Sequence, residues 1–275
     1  MMEFVKAMLW AMAPLALLLP VAVAIEYASP HTRYALRDRL PGALYIVFVP
    51  ALVTGLSWPL HRLWDQLGVP SVANIAAWPL LARFAVLLLL FDFLRYWEHR
   101  FEHRFWWPVH SVHHSPHELH AANAYSHPLL AVPELAIVAL PFSLIETGNP
   151  YAQVAVWTFV AFQDLVIHSP LRIHAGRWRT LYIDSRYHRI HHSVEPRHWH
   201  HNFGFVFPFW DLLFGTAYPV DGTEWPETGV PGMAPPIAPR DFLAHPFREW
   251  VRRARLGRTR PRGDEPELQS FIASV

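Results

Sequence analysis

Residues 92–120 read DFLRYWEHRFEHRFWWPVHSVHHSPHELH. An apolar run, 73–91, ends where this stretch begins, so the histidines open where the hydrophobic sequence stops. His99 and His103 are four apart and share a face if the stretch is helical. His110, His113 and His114 stand at i, i+3 and i+4, again on one helical face. Residues 187–193, YHRIHHS, repeat the pattern with His188, His191 and His192.

The chain has 19 histidines, 16 of them between His99 and His201. An even spread would place about seven there. At this frequency a chance H-x-x-H-H is expected about 0.1 times in the chain, so two copies are not accidental. Eight imidazoles exceed one coordination sphere of about four to six donors, which points to two metals. Cysteine is absent, so disulfides and thiolate sites are excluded and a metal must use His, Asp or Glu. Imidazole suits Fe, Zn, Cu and Ni alike, so donor type leaves the metal open. Glu98, Glu102, Glu134, Asp164, Asp184 and Asp211 are available to accept from the second ring nitrogens. His117, His120, His174, His198 and His200 are further histidines without an assigned role.

Composition frames this cluster. The chain is 52% hydrophobic and 16% charged, against about 25% charged in soluble domains. A net charge of +1 argues against a nucleic-acid binder. Five apolar segments, 7–24, 42–58, 73–91, 129–145 and 151–167, approach the length that crosses a bilayer. The first resembles a signal peptide, but its weakly basic start and long apolar run favour an uncleaved span. The expected fold is therefore an all-α, integral-membrane bundle of four to five spans with a histidine-rich helical cap. The short ETGNP turn at 146–150 pairs the last two segments as a hairpin and returns both histidine phrases to one side. Arginines flanking that side assign it to the cytoplasmic face. Three regions are expected: 1–72 with N-terminal spans, 73–218 with the chemistry, and 219–275 with a Pro/Gly-rich loop, a basic amphipathic helix near 241–256 and a disordered tail after Gly257.

The motifs together resemble the fatty acid hydroxylase / sterol desaturase superfamily. HxxxH at 99–103 and HxxHH at 110–114 and 188–192 resemble its three histidine boxes. HPLLAVPE at 127–134, FQDLVIHSPLR at 162–172 and HHNFGFVFPFWDLLFGT at 200–216 are similar to its further segments. The resemblance implies a di-iron centre using O2 as co-substrate, and ligands His99, His103, His110, His113, His114, His168, His188, His191 and His192. It offers His127, Asp164, His201 and Asn202 as further ligands or supporting groups. It implies hydroxylation of a sterol, fatty acyl or carotenoid-like C–H bond, with electrons from a separate ferredoxin-like or small cytochrome donor. One departure is Ser126, where the family often has Arg before His-Pro; it bears on local substrate contacts rather than the metals. A desaturase with the same centre, or a membrane protein that only binds or transports metal, are the alternatives. A transporter would place histidines inside spans, whereas these sit at segment ends among Arg, Glu and Trp.

Overall fold

The apolar opening of the chain forms two long helices, α1 (Met2–Ala28) and α2 (Leu36–Leu67). In this computed structural model residues 2–28, 36–68, 70–172, 175–219, 224–236 and 238–259 are described. His174 and the tail beyond 259 lie outside them. After strand β1 (Ala73–Asn74), Pro79 precedes α3 (Leu80–Phe105). Pro108 then favours a fresh start in α4 (Trp107–His114). The following segment is cut into short turns: Ala121–Asn123, Pro128–Leu130, α5 (Ala131–Pro133), a π-helical stretch Glu134–Ala139, and α6 (Leu140–Ser143). Strand β2 (Ile145–Glu146) pairs parallel with β1, Ala73 opposite Ile145. Then come α7 (Tyr151–Ile167), α8 (Ser185–His191), α9 (Phe209–Phe214) and α10 (Pro239–Thr259).

The fold is mainly helical, but the expected bundle of membrane spans is corrected. Among the described residues no helix is long and apolar enough to cross a membrane. The causes are local. Of segment 73–91, only Leu80 to Phe91 is helical before the buried Asp92. Its Arg83 is buried and donates to Thr147 O at 2.6 Å. Segment 129–145 is α- or π-helical only over residues 131–143 before Leu144 leaves the helix, with Glu134–Ala139 relaxed to a π-helix between Pro133 and Pro141, each of which lacks a ladder donor. Segment 151–167 becomes α7, whose 17 residues rise only about 25 Å against a hydrocarbon core of about 30 Å. Segments 7–24 and 42–58 lie inside α1 and α2, several of whose side chains fall outside the described residues. With no such helix among the described residues, the multi-pass arrangement behind the cytoplasmic-face expectation is not seen there.

Two apolar clusters hold the elements together. One joins Leu87, Leu88 and Phe91 of α3 to Val156 of α7, Ile183 and Val206. The other joins Leu19 and Ile46 of the N-terminal helices to Val112 of α4, Tyr125, Leu165 and Phe242 of α10. The N-terminal pair also grips the loop after α4. Glu26 and Arg39 form a buried ion pair, and Glu26 Oε1 accepts from Ala121 N at 2.8 Å. At Gly42 a Cβ would stand 2.0 Å from Ala122 O, so only glycine allows this approach.

Two buried carboxylates fold residues 202–210 across α3. Asp92 accepts from Val206 N, Phe207 N and Trp210 Nε1 at 2.7, 3.1 and 3.0 Å. Asp211 accepts from Phe203 N, Gly204 N, Tyr187 Oη and Thr216 Oγ1 at 2.8, 2.7, 3.0 and 2.6 Å. Burial pushes the Asp92 carboxyl up to about 7 even against its three donors.

Candidate metal centre

On α3, His99 and His103 lie one turn apart and point the same way. α4 brings His110, His113 and His114, and the C-terminal end of α7 brings His168. α8 is started by Asp184, which caps it by accepting from Arg186 N and Tyr187 N at 3.1 and 3.0 Å. That cap sets the phase of His188, His191 and His192.

These nine histidines are all buried and gather in two groups. His99, His103, His110, His114 and His191 form the first; His113, His168, His188 and His192 form the second. Within each group one ring nitrogen per residue lies within 4.8 Å of all the others, so each group can hold a metal ion. His103 and His191 meet through Nε2 at 3.1 Å, and His110 and His114 likewise at 3.1 Å. In the second group His188 Nε2 is 3.1 Å from His168 Nε2 and 3.0 Å from His192 Nε2, and His168 Nε2 is 3.3 Å from His113 Nε2.

The opposite ring nitrogens fix the tautomers. Nδ1–H of His99 donates to Phe203 O at 2.9 Å, that of His113 to Tyr125 O at 3.0 Å, that of His168 to Asp164 O at 2.8 Å, and that of His191 to His201 O at 2.8 Å. A carbonyl oxygen can only accept, so Nδ1 carries the proton and Nε2 presents a lone pair inward. His113 and His168 thus aim lone pairs at each other across 3.3 Å. His99 Nε2 is buried without a hydrogen-bond partner. Burial pushes all nine imidazoles below their usual range, His113 and His191 to about 3 and His168 to about 4. They are therefore neutral, as ligands must be.

Carboxylates back both groups. Glu102 Oε2 stands 2.8 Å from His110 Nδ1, and Asp164 Oδ1 stands 3.5 Å from His168 Nδ1. Burial pushes Asp164 up to about 7. Arg95 offsets the buried Glu98, at 2.6 Å, and Glu102, at 3.8 Å.

The other sequence candidates take different places. His127 lies in neither group; its Nδ1 caps a turn by accepting from Leu129 N at 3.1 Å, and its ring packs on Phe242. Asn202 is at φ +61° and ties Tyr187 O to Tyr218 N through its side-chain amide. His201 contributes its backbone carbonyl to His191, while its ring turns to Trp199 O. His201, offered as a supporting group, acts through its carbonyl, whereas sequence reading missed Phe203 and Tyr125 as orienting residues. They act through main-chain oxygens, which every residue has, so no sequence signal marks them. A third group, Glu195, His198 and Glu224, already has a cation, since Arg197 reaches Glu195 at 2.7 Å and Glu224 at 2.6 Å.

Residues 84–216, the span holding every one of these histidines, match the fatty acid hydroxylase family. Among curated proteins the chain is 24% identical to methylsterol monooxygenase 1-1 of Arabidopsis thaliana over 68% of this chain and 65% of the relative. It is 27% identical to methylsterol monooxygenase 1-2 of the same plant, over 66% and 60%. It is 28% identical to very-long-chain aldehyde decarbonylase GL1-10 of Oryza sativa subsp. japonica, over 54% and 49%. The chain thus spans less than two thirds of these relatives' length. No solved structure matches it. Motif order, buried imidazoles and the family match agree, and over residues 84–216 the chain is similar to the fatty acid hydroxylase family.

Proposed function

We propose that the protein is a di-iron oxidoreductase, a monooxygenase that hydroxylates a C–H bond of a lipid. The observation that carries this reading is the set of inward Nε2 atoms 3.0–3.3 Å apart. Lone pairs that close repel unless a cation lies between them. Donors about 2.1 Å from an ion lie about 3.0 Å apart at right angles and about 3.4 Å apart in a tetrahedron. The observed 3.0–3.3 Å falls within the range that donors to one shared ion adopt. His99, His103, His110, His114 and His191 hold one iron, and His113, His168, His188 and His192 the other. The irons supply the redox chemistry that activates O2.

The chain's own residues do the rest. The carbonyls of Phe203, Tyr125, His201 and residue 164 lock ring orientation. Burial of all nine rings keeps bulk water from the oxidising centre. Residues 73–218 carry the chemistry, and electrons come from a separate donor. The two methylsterol monooxygenase relatives support a lipid, sterol-like in their case, as the substrate class.

Elemental analysis of purified protein should find two irons per chain. After reduction it should consume O2 only with lipid present and return a product one oxygen heavier. Loss of two hydrogens instead would reassign it as a desaturase. A metal-replete protein that consumes no O2 with sterol, acyl or carotenoid lipids would overturn the reading.

A further inference from the structure

Outside the metal centre the structure holds a cavity of about 600 Å³, within the usual size range of ligand sites. Its polar wall is built around Trp225. The guanidinium carbons of Arg172 and Arg189 lie 5.4 and 4.8 Å from that ring's centroid. Arg189 Nε donates to Pro226 O at 2.7 Å, which fixes its fork beside the ring. Arg172 approaches from an exposed position. Two guanidinium groups held against one aromatic ring offer fork donors to an oxyanion. Glu118 and Glu227 line the same cavity, so a second negative charge on the ligand would be repelled.

A second, much smaller cavity of about 20 Å³ touches His103, His114 and His191. Val230 and Pro231 line both cavities, so this pair is the partition between them. The strap carrying them is pinned where the third histidine box ends: Val194 N donates to Glu227 O at 3.1 Å and Gly229 N to His192 O at 3.2 Å. Thr228 Oγ1 donates to His117 O at 2.9 Å. Gly229 has φ +124°, and a Cβ there would stand 2.7 Å from His117 Cδ2, so glycine alone lets the strap lie this close. The outer cavity therefore abuts, across Val230 and Pro231, the small cavity beside the histidines.

We propose that the outer cavity binds the polar end of the substrate, a singly charged oxyanion on an apolar chain, and that the chain passes the Val230–Pro231 partition toward the histidines. This rests on the lipid-oxygenase reading of those histidines. The oxyanion is either a free fatty carboxylate or the phosphodiester of a lipid headgroup, which share the same recognition by Arg172 and Arg189.

The test is equilibrium dialysis of the full-length, iron-loaded protein against radiolabelled palmitate, methyl palmitate and lysophosphatidylglycerol in neutral detergent. Palmitate or lysophosphatidylglycerol should bind about tenfold or more tighter than the neutral ester, the scale of one charge-assisted contact. The tighter of the two names the source of the oxyanion. Arg172→Glu should erase the preference while leaving iron content and methyl palmitate binding unchanged. Equal binding of all three ligands, or an Arg172→Glu variant that keeps the preference, overturns the proposal. O2 uptake measured in parallel separates it from the reading beneath it. Arg172-dependent binding without uptake leaves the site standing and sinks the oxygenase, and uptake without Arg172-dependent binding does the reverse.

Discussion

His113 and His114 are neighbours in the chain, as are His191 and His192, yet each doublet is divided between the two imidazole groups. Adjacent helical residues point about 100° apart, so a doublet serves one ion poorly and two ions well. Each H-x-x-H-H phrase sends its outer pair, His110 with His114 or His188 with His192, to one group. Its middle histidine, His113 or His191, crosses to the other. The repeated phrase is thus a reciprocal exchange. The groups differ in what completes them: the first gains the helical pair His99 and His103, while the second gains only His168.

The largest expected effect breaks this exchange directly. The double variant His110→Ala/His191→Ala strips one group and should retain one iron per chain by elemental analysis. His191→Ala/His192→Ala strips one donor from each group and should weaken both ions, leaving less than one. Either variant should lose more than about 100-fold in turnover, beyond the loss typical of outer-sphere changes. Equal iron in the two doubles would dissolve the division.

A second contrast lies behind the rings. His110 has only the Glu102 carboxylate near its Nδ1, at 2.8 Å. His168 keeps a carbonyl at 2.8 Å, with the Asp164 carboxylate at 3.5 Å. Glu102→Ala should therefore cost metal affinity near the upper end of the usual ~10–100-fold range, and Asp164→Asn near the lower end. Chelator titration of the two variants reads this directly.

The histidines were legible because their spacing is itself the helical period, and a ring nitrogen's chemistry travels with the residue. The same holds for the basic helix near 241–256, found as α10 (Pro239–Thr259). The spans misled for a physical reason. Hydropathy over 129–145 counts side chains and overlooks that the helical run covers only residues 131–143 and turns π-helical over Glu134–Ala139. Over 73–91 it overlooks that Ala73 and Asn74 enter a β-pairing and that Arg83 has a buried carbonyl to reach. Nor does composition show that the Pro/Gly-rich stretch holding Gly229 is pinned to His192. That contact is set by a tertiary approach that only the folded chain reveals.

The carboxylates that position Phe203 invite a smaller contrast. Asp211→Ala leaves Phe203 N, Gly204 N and Tyr187 Oη unanswered, while Thr216 Oγ1 keeps Tyr96 Oη. At about 1–3 kcal/mol per buried donor the loss should reach about 3 kcal/mol or more in denaturant unfolding, with the iron at His99 loosened as Phe203 O drifts.

Asp92→Asn should be milder and should show itself as a change of slope. Burial raises the folded-state carboxyl to about 7, far above its unfolded value near ~3.9. Between those pH values the folded state holds a proton that the unfolded state has released. Asp92 therefore lowers stability as pH rises from about 4 to about 7, the opposite sign to an ordinary ion-paired carboxylate. Asparagine cannot titrate and still offers one oxygen to Val206 N or Phe207 N. Unfolding midpoints of the two proteins should thus converge as pH rises toward 7, because the native protein loses there an advantage the variant never had. Parallel curves would mean that the three donors hold Asp92 ionised in the fold.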